Sequence, residues 1–372
     1  MDFPVISADS HVTEPPNTYI DYADPDFRDR APRLAEEEEG VAFDIEGMGK
    51  FRIAVAAGAG IPPEQRTERL KNMSDLHRSG WDSRYRLEDQ KKDGVAAEII
   101  YPTVGMILCN HPDIDFKVGC FNAYNRWIAE YCAFAPNHLL GVGQTAMRAP
   151  QEGIRDIEAI KAAGLRGVMM PGVPGVEDYD SPIYDDFWAA AVENDVPLAF
   201  HILAVGGHEF KYRGEKVNIF SMVLRGVQDV IGMMIFGGVF ERHPKLKIVC
   251  VEGDAGWLPH WGHRLDRAYV EHRHHLGSRG LTKMPSEYFF ENIYFTFQDD
   301  PIAFRCADMM NWKRLMWAND FPHSDATWPH SQKILEEQTR CVTEEQKRAI
   351  LCENAADLYK IDLTVFDKAI AV

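Results

Sequence analysis

Short apolar runs bounded by turn residues recur along the chain, and stretches with helical spacing of apolar residues lie between them. We predict strands at residues 5–11, 96–103, 139–147, 167–171, 198–202, 247–253, 293–298 and 315–320. We predict helices near residues 71–94, 115–135, 151–163, 183–193, 218–242, 257–276, 301–310, 331–337 and 344–351. Apolar strands that alternate with helices are typical of a parallel sheet, and eight of them can close on themselves. The pattern therefore predicts an α/β fold, the (β/α)8 TIM barrel.

The stretch at residues 21–86 is too long for a simple connection between a strand and a helix. Within it, the run at residues 41–53 can form a hairpin. Because this insertion follows the first strand, it would lie over the catalytic face of a barrel. We interpret it as a cap or an oligomer contact within a single domain of residues 1–372.

Composition and charge argue against some classes of binding partner. The formal net charge of -17 argues against nucleic acid and against an anionic membrane, since both repel an acidic surface. The 7 cysteines include no Cys-x-x-Cys pair, which fits reduced thiols in a cytoplasmic protein. The N-terminus has no leader pattern, and charged residues interrupt the most apolar stretch, residues 222–240. We expect a cytoplasmic enzyme that forms a homodimer and acts on a small-molecule substrate.

Candidate metal ligands stand at or just beyond the ends of four predicted strands. They are Asp9, His11, Glu14, His201, Glu252 and Asp320. In barrel enzymes the catalytic groups come from the carboxyl ends of several strands, so these side chains would meet. Carboxylate oxygen together with imidazole nitrogen suits Zn²⁺, Fe²⁺ or Mn²⁺, and the set can hold one ion or two.

Each of these residues has a simpler explanation when taken alone. His201 can be a buried core histidine, and Asp320 can cap the turn that follows it. Glu252 ends an apolar run, and it would be costly to bury without a cation, a metal or water. The metal site is favoured because independent causes would otherwise have to coincide at four strand ends.

Longer motifs surround the candidate ligands. They read Asp-Ser-His at 9–11 with Glu-Pro at 14–15, Gly-Gly-Val-Phe-Glu-Arg-His-Pro-Lys-Leu-Lys at 237–247, Glu-x-x-x-x-Trp-Leu-Pro at 252–259 and Trp-Ala-Asn-Asp-Phe-Pro-His at 317–323. With these motifs the chain resembles the amidohydrolase superfamily over nearly its whole length, specifically the amidohydrolase-related (amidohydrolase 2) branch. That branch includes aminocarboxymuconate-semialdehyde decarboxylase, resorcylate-type decarboxylases, and carbon–carbon hydrolases and hydratases.

The resemblance implies a TIM-barrel metal-dependent hydrolase. In it His11 and His201 would be the ligands from strands one and five, and Asp320 would be the strand-eight carboxylate. Two positions depart from the branch. Asp9 stands where the branch has His or Glu, and Glu252 stands where it has a strand-six histidine that the decarboxylases use. The predicted fourth strand also lacks a lysine to bridge two metals as a carbamate.

We therefore expect a metal-dependent hydrolase or lyase that acts on a small organic acid, ester, amide or ring-cleavage product. A divalent metal, first of all Zn with Fe or Mn as alternatives, would activate water or polarise a carbonyl, and Asp320 and Glu252 would be catalytic. His208 and Lys211 would contact the substrate, and His323 would support the ligands.

Three alternatives stay open. The first is a non-haem (di)iron oxygenase or hydroxylase on the same barrel, acting on a terpenoid or a CoA ester. The second is a decarboxylase of an aromatic or semialdehyde acid. The third is a barrel that binds or assembles without catalysis.

Overall fold

The structure, a computed structural model, describes residues 1–37, 40–205, 214–277 and 280–366. The predicted substrate contacts His208 and Lys211 lie outside the described residues. The strands are β1 Ile6–His11, β2 Arg33–Glu37, β3 Gly40–Ile45, β4 Gly49–Arg52, β5 Ala97–Tyr101, β6 Leu139–Gln144, β7 Gly167–Met169, β8 Leu198–His201, β9 Ile248–Val251, β10 Ile293–Phe297 and β11 Leu315–Trp317. The α-helices are α1 Thr18–Asp21, α2 Ile53–Ala56, α3 Arg66–Arg69, α4 Ser83–Asp93, α5 Val104–Leu108, α6 Ile114–Ala133, α7 Pro150–Ala162, α8 Asp185–Asn194, α9 Leu224–Phe236, α10 Val239–Arg242, α11 Leu258–Leu276, α12 Pro285–Asn292, α13 Pro301–Arg305, α14 Ser331–Gln338, α15 Glu344–Arg348 and α16 Asn354–Tyr359.

Eight strands of the described chain form one parallel sheet in the order β1-β5-β6-β7-β8-β9-β10-β11. Each of them lies inside its predicted range, and the barrel prediction is confirmed. All of them except β1 end before the predicted end. Glu252 has a φ of 57° and Asp320 a φ of 55°, and a left-handed backbone cannot continue a strand. Glu252 therefore stands directly after β9, and Asp320 lies three residues beyond the end of β11.

The strand and helix sequences explain the layers of the barrel. β9 reads Ile-Val-Cys-Val and is buried along its whole length, as expected for a strand covered on both faces. On α6, the buried residues Phe116, Cys120 and Tyr124 recur at every fourth position and form one face against the sheet. The carboxyl ends of the strands are thus held rigidly by a continuous core.

The segment 21–86 contains a second, three-stranded antiparallel sheet in the order β2-β3-β4. The hairpin predicted at residues 41–53 is present as the β3–β4 pair, whereas β2 was not predicted. The backbone N–H of Ala59 donates to the carbonyl of Pro322 at 3.1 Å, just beyond β11. The segment therefore contacts the carboxyl end of the barrel, and its role as a cap or an oligomer contact stays a prediction.

Three of the differences between the observed and the predicted helices have local reasons. α4 begins later than residue 71 because the Asp82 side chain accepts a hydrogen bond from the backbone N–H of Arg84 and caps the helix there. The helix predicted at 218–242 is divided into α9 and α10, and Gly238 lies between them with a φ of 72°. α12 was not predicted, although Pro285 occupies its first turn.

Within the described ranges, the helical stretch Lys216–Phe236 is long and apolar enough to cross a membrane by composition alone. One such helix is weak evidence, because helices that pack on a protein core pass the same test. In this fold Val227, Ile231 and Met234 of the stretch are buried against the core. We therefore describe α9 as an outer helix of the barrel.

Direct backbone hydrogen bonds join the chain after β11 to β1. The N–H of Asp320 donates to the carbonyl of Asp9 at 3.1 Å, and the N–H of His11 donates to the carbonyl of Phe321 at 2.7 Å. These two bonds place Asp9 and His11 of β1 beside Asp320, which lies after β11. The closure of the barrel and the assembly of the site therefore depend on the same contacts.

A buried ion pair, which we call the seam pair, reinforces this junction. Arg86 of α4 is fully buried and forms an ion pair with Glu98 of β5. The same guanidinium donates to the carbonyls of His11 at 2.7 Å and Phe321 at 3.1 Å. One side chain from α4 thus holds both sides of the junction in place.

We predict that Arg86→Met lowers the free energy of unfolding by about 3–5 kcal/mol, because the Glu98 carboxylate is left buried without its partner. Urea unfolding followed by circular dichroism measures this loss. The double variant Arg86→Met with Glu98→Gln should recover part of it, since the orphaned charge is gone. Arg155→Met, at a mostly exposed position on α7, is the control and should change stability by less than about 0.5 kcal/mol. Equal stability of Arg86→Met and this control would contradict the role of the seam pair.

Candidate metal centre

Six side chains with metal-binding atoms converge at the carboxyl end of the barrel. They are Asp9 and His11 of β1, His201 at the end of β8, Glu252 directly after β9, and Asp320 and His323 after β11. They form two overlapping groups of four, and the candidate ligand atoms of each group lie within 4.8 Å of one another. Both groups include His11 and Glu252. Five of the six predicted ligands are therefore brought together.

Backbone carbonyls fix the orientation of two imidazole rings. Nδ1 of His11 lies 2.9 Å from the carbonyl of Pro102, and Nδ1 of His201 lies 2.8 Å from the carbonyl of Ile202. Because a carbonyl only accepts, each Nδ1 carries the proton and each Nε2 presents a lone pair. The two Nε2 atoms lie 3.2 Å apart. Two lone pairs at this distance repel each other, and a cation shared by both removes the repulsion.

His323 has the same character, although its protonated nitrogen is the other one. The hydroxyl of Thr103 donates to the carbonyl of Val12 at 2.6 Å, so it can only accept from Nε2 of His323, at 2.9 Å. Nδ1 of His323 is therefore unprotonated, and it faces Oδ1 of Asp320 at 3.1 Å. The predicted supporting residue thus contacts Asp320 directly and presents a lone pair to the centre.

The carboxylates lack partners of their own. Both side-chain oxygens of Asp9, both of Asp320 and Oε2 of Glu252 are buried without a hydrogen bond. Asp9 and Asp320 are fully buried, and a buried charge without a partner is strongly unfavourable. Oδ1 of Asp9 and Oδ1 of Asp320 each lie 3.4 Å from Nε2 of His11. Anionic oxygens and imidazole lone pairs directed into one volume form a donor set that fits a divalent metal ion.

Burial and mutual repulsion shift the acid–base properties of the centre. Burial, together with the neighbouring Asp320, raises the pKa of Glu252 well above its usual range. Burial, together with Asp9, does the same to the pKa of Asp320. Burial and the nearby His323 lower the pKa of His11 to about 3, and burial with His201 lowers the pKa of His323 to about 3. The effect of burial on His201 is outweighed by the neighbouring Asp9 and Glu252, which raise the pKa of that imidazole. Neutral His11 and His323 suit metal binding, while Asp320 retains a proton that a metal would displace.

Glu14 corrects the prediction. Its carboxylate is a member of neither ligand group, and it accepts hydrogen bonds from the backbone N–H groups of Thr103, Val104 and Gly105 at 3.1–3.3 Å. It also accepts from the hydroxyl of Tyr19. These four donors use the carboxylate to hold the first turn of α5 against the end of β1. Glu14 is therefore removed from the candidate ligands.

A TIM barrel with carboxylates and imidazoles at the carboxyl ends of its strands defines the class of metal-dependent barrel enzymes. The sequence profile of the family described as Amidohydrolase matches residues 9–361. The chain belongs to this family, and the resemblance carried by its motifs is confirmed.

Solved structures with the same architecture cover almost the whole chain. One is an amidohydrolase from Mycobacterium avium subsp. paratuberculosis K-10, with a TM-score of 0.78, 20% identity and coverage of 98% of this chain and 100% of that one. A 5-carboxyvanillate decarboxylase from Sphingomonas paucimobilis has a TM-score of 0.67 at 19% identity, over 97% and 100%. A dihydroxybenzoic acid decarboxylase from Polaromonas sp. JS666, with bound manganese, has a TM-score of 0.65 at 17% identity, over 96% and 97%. At these identities the likeness establishes the shared fold.

We predict that Asp320→Asn weakens Mn²⁺ binding. Loss of a residue that only hydrogen-bonds to a metal ligand weakens metal binding by roughly 10–100-fold, and the effect here should be larger because Asp320 is itself a proposed ligand. The amide is a poorer ligand, and it removes a negative charge from the centre. Without metal, the variant should unfold no more easily than the parent chain, because a buried carboxylate beside Asp9 has become neutral. Titration against a competing chelator and urea unfolding measure the two effects. Asp357→Asn, at an exposed position on α16, is the control, and parental affinity in Asp320→Asn would exclude this residue as a ligand.

Metal binding should also release protons. Asp320 has a raised pKa, so it still holds a proton at pH values where an ordinary carboxyl has lost it. Since the metal binds the deprotonated groups, the apparent affinity for Mn²⁺ should rise as pH increases from about 5.5 to 7.5. Calorimetry in buffers of different ionisation enthalpy counts the protons released. Asp320→Asn should release fewer, and an affinity independent of pH would contradict this prediction.

Proposed function

We propose that the chain is a divalent-metal-dependent lyase that removes the carboxylate of a small hydroxylated organic acid. The observation that carries this proposal is the position of Glu252. Its side chain is 12% exposed, whereas those of Asp9, His11, His201 and Asp320 are completely buried. Glu252 is thus the member of the centre that an incoming substrate meets, and its raised pKa means that it can bring a proton.

Decarboxylation needs such a proton. When the bond between the carboxylate and the carbon skeleton breaks, its electron pair stays on the carbon, which must be protonated. A carboxylic acid kept neutral by burial is a suitable general acid for this step. Glu252 would give its proton to that carbon, carbon dioxide would leave, and the Glu252 carboxylate would recover a proton from water.

The remaining residues would hold the ion and the substrate. Asp9, His11, His201 and Asp320 would bind the metal, and the lone pair of His323 beside Asp320 would be a further donor to it. When bound, a divalent ion supplies Lewis-acid polarisation of a substrate oxygen. We propose manganese in place of the expected zinc. A carboxylate-rich donor set suits manganese, and two of the decarboxylases with this fold, from Polaromonas and Novosphingobium, hold it.

The solved structures also change which of the candidate reactions we favour. From the sequence we expect hydrolysis first, with Asp320 accepting a proton from water. Decarboxylases of 5-carboxyvanillate and of dihydroxybenzoates recur among the proteins with this fold. Both kinds of substrate carry a carboxylate beside a phenolic hydroxyl, a pair of oxygens that one metal ion can bind together. We therefore place decarboxylation before hydrolysis, and we propose a small aromatic acid as the substrate class. The cytoplasmic location and the homodimer stay predictions.

Activity of the manganese-loaded protein toward 2,6-dihydroxybenzoate and 5-carboxyvanillate tests this proposal, with carbon dioxide release as the readout. We predict that Glu252→Gln lowers kcat by roughly 100-fold or more, because the general acid is lost. The variant should still bind manganese through the four buried ligands. Glu158→Gln, at an exposed position on α7, is the control. Turnover by Glu252→Gln at the parental rate would overturn the assigned role.

A non-haem iron oxygenase is the second candidate, and the number of donors favours it. The two overlapping ligand groups together offer three carboxylates and three imidazoles, and a carboxylate-rich set of this size can hold two irons. Metal analysis of the protein as purified separates the candidates. Two irons per chain, together with consumption of oxygen, would support the oxygenase. One manganese or zinc per chain would support the lyase.

A further inference from the structure

A pocket separate from the metal centre, which we call the Lys117 pocket, lies on the same face of the barrel. Its volume is about 290 Å³. It is lined by Cys109, Asn110, His111, Pro112, Ile114, Lys117, Val173, Pro174 and Gly175. These residues come from the chain that follows β5 and from the chain that follows β7. Because connections that follow strands lie at the carboxyl ends of a barrel, the pocket belongs to the catalytic face.

One hydrogen bond ties the pocket to the metal centre. The side-chain amide of Asn110 donates to the carbonyl of Leu203 at 2.6 Å. Leu203 stands two residues after His201, a candidate ligand. A lining residue of the pocket therefore contacts the connection that leaves the centre at β8.

Lys117 is the unusual member of the lining. Its side chain lies in the first turn of α6, and the residue is only 6% exposed. Among the described residues, its ammonium group has neither a hydrogen bond nor an ion pair with a carboxylate. Burial lowers the pKa of Lys117, which reflects the cost of keeping this charge away from water. An anion in the pocket would remove that cost.

The neighbouring polar groups do not supply this anion or a second cation. Nδ1 of His111 accepts from the backbone N–H of Asp113 at 3.0 Å, so its proton is on Nε2, which lies 2.6 Å from the carbonyl of Glu46. Both ring nitrogens of His111 are thus used by main-chain groups. Burial raises the pKa of the Cys109 thiol to about 12, so the thiol is neutral. Among the described residues that line the pocket, Lys117 is the only lysine or arginine, and none is an aspartate or glutamate.

Apolar atoms provide the rest of the lining. Pro112 and Ile114 come from the chain that follows β5, and Val173 and Pro174 from the chain that follows β7. A pocket of this size with apolar walls and one charged group is typical of sites for small molecules. We propose that the Lys117 pocket binds the carboxylate of a small organic acid, with an ion pair to Nζ of Lys117 and the apolar part of the ligand against these walls. The proposal does not depend on which reaction the metal centre catalyses.

Benzoate is the probe, and benzamide is its neutral match. Calorimetry with the metal-loaded full chain should give a benzoate affinity roughly tenfold or more above that of benzamide. Lys117→Met should remove this difference, while Lys333→Met, at an exposed position on α14, should keep it. Because Lys117→Met removes an unpaired buried charge, its Tm without benzoate should not fall. Lys117→Gln provides a second test if Met packs poorly.

Benzoate binding measured with and without the metal distinguishes a substrate or product from a separate effector as the natural ligand. If removal of the metal weakens the Lys117-dependent binding of benzoate, the natural ligand also contacts the centre and is a substrate or product. If that binding is unchanged, the pocket serves an effector that binds separately. Equal affinity for benzoate and benzamide in the parent chain would overturn the proposal, and so would unchanged benzoate affinity in both Lys117 variants.

Discussion

Electrostatic repulsion inside a small buried volume is the constraint on which the rest of this structure depends. The carboxylates of Asp9 and Asp320 have no hydrogen-bond donors, and the imidazole nitrogens that face them carry lone pairs. Charges interact strongly in a low-dielectric interior, so such a cluster is unstable by itself. A cation shared by these groups turns every repulsive contact into an attractive one. The sequence around the centre is therefore best understood as a means of keeping a cation site intact.

The scaffold meets this constraint mainly with main-chain atoms. The carbonyls of Pro102 and Ile202 select the tautomers of two histidines, and Arg86 binds the carbonyls of His11 and Phe321. Apart from Arg86, at the end of the segment 21–86, these contacts do not use side chains of the long connections over the barrel. Those connections can consequently differ in sequence, and with them the substrate, while the fold maintains the geometry of the ion site.

Features that arise from local pattern were predictable from the sequence. The eight barrel strands were recognisable from apolar runs, and five candidate ligands from their positions at strand ends. Glu14 was predicted as a ligand but belongs to neither ligand group, because three of the four donors that use its carboxylate come from α5 and the residue before it, about 90 residues later in the chain. Arg86 and Lys117 were missed, since an ordinary helical sequence does not reveal which of its charged residues become buried. Burial of a charge is a property of the tertiary structure, and only a three-dimensional arrangement can show it.

The left-handed backbone at Glu252 and Asp320 has a consequence for the history of such proteins. Glycine, asparagine and aspartate adopt this conformation more easily than other residues, and β-branched residues adopt it very poorly. A single replacement by asparagine or glycine at either position can therefore remove the chemistry and leave the chain well folded. Descendants of this barrel can become inactive binding proteins without passing through an unstable intermediate, whereas recruitment of valine or threonine there would require the strand end to be rebuilt.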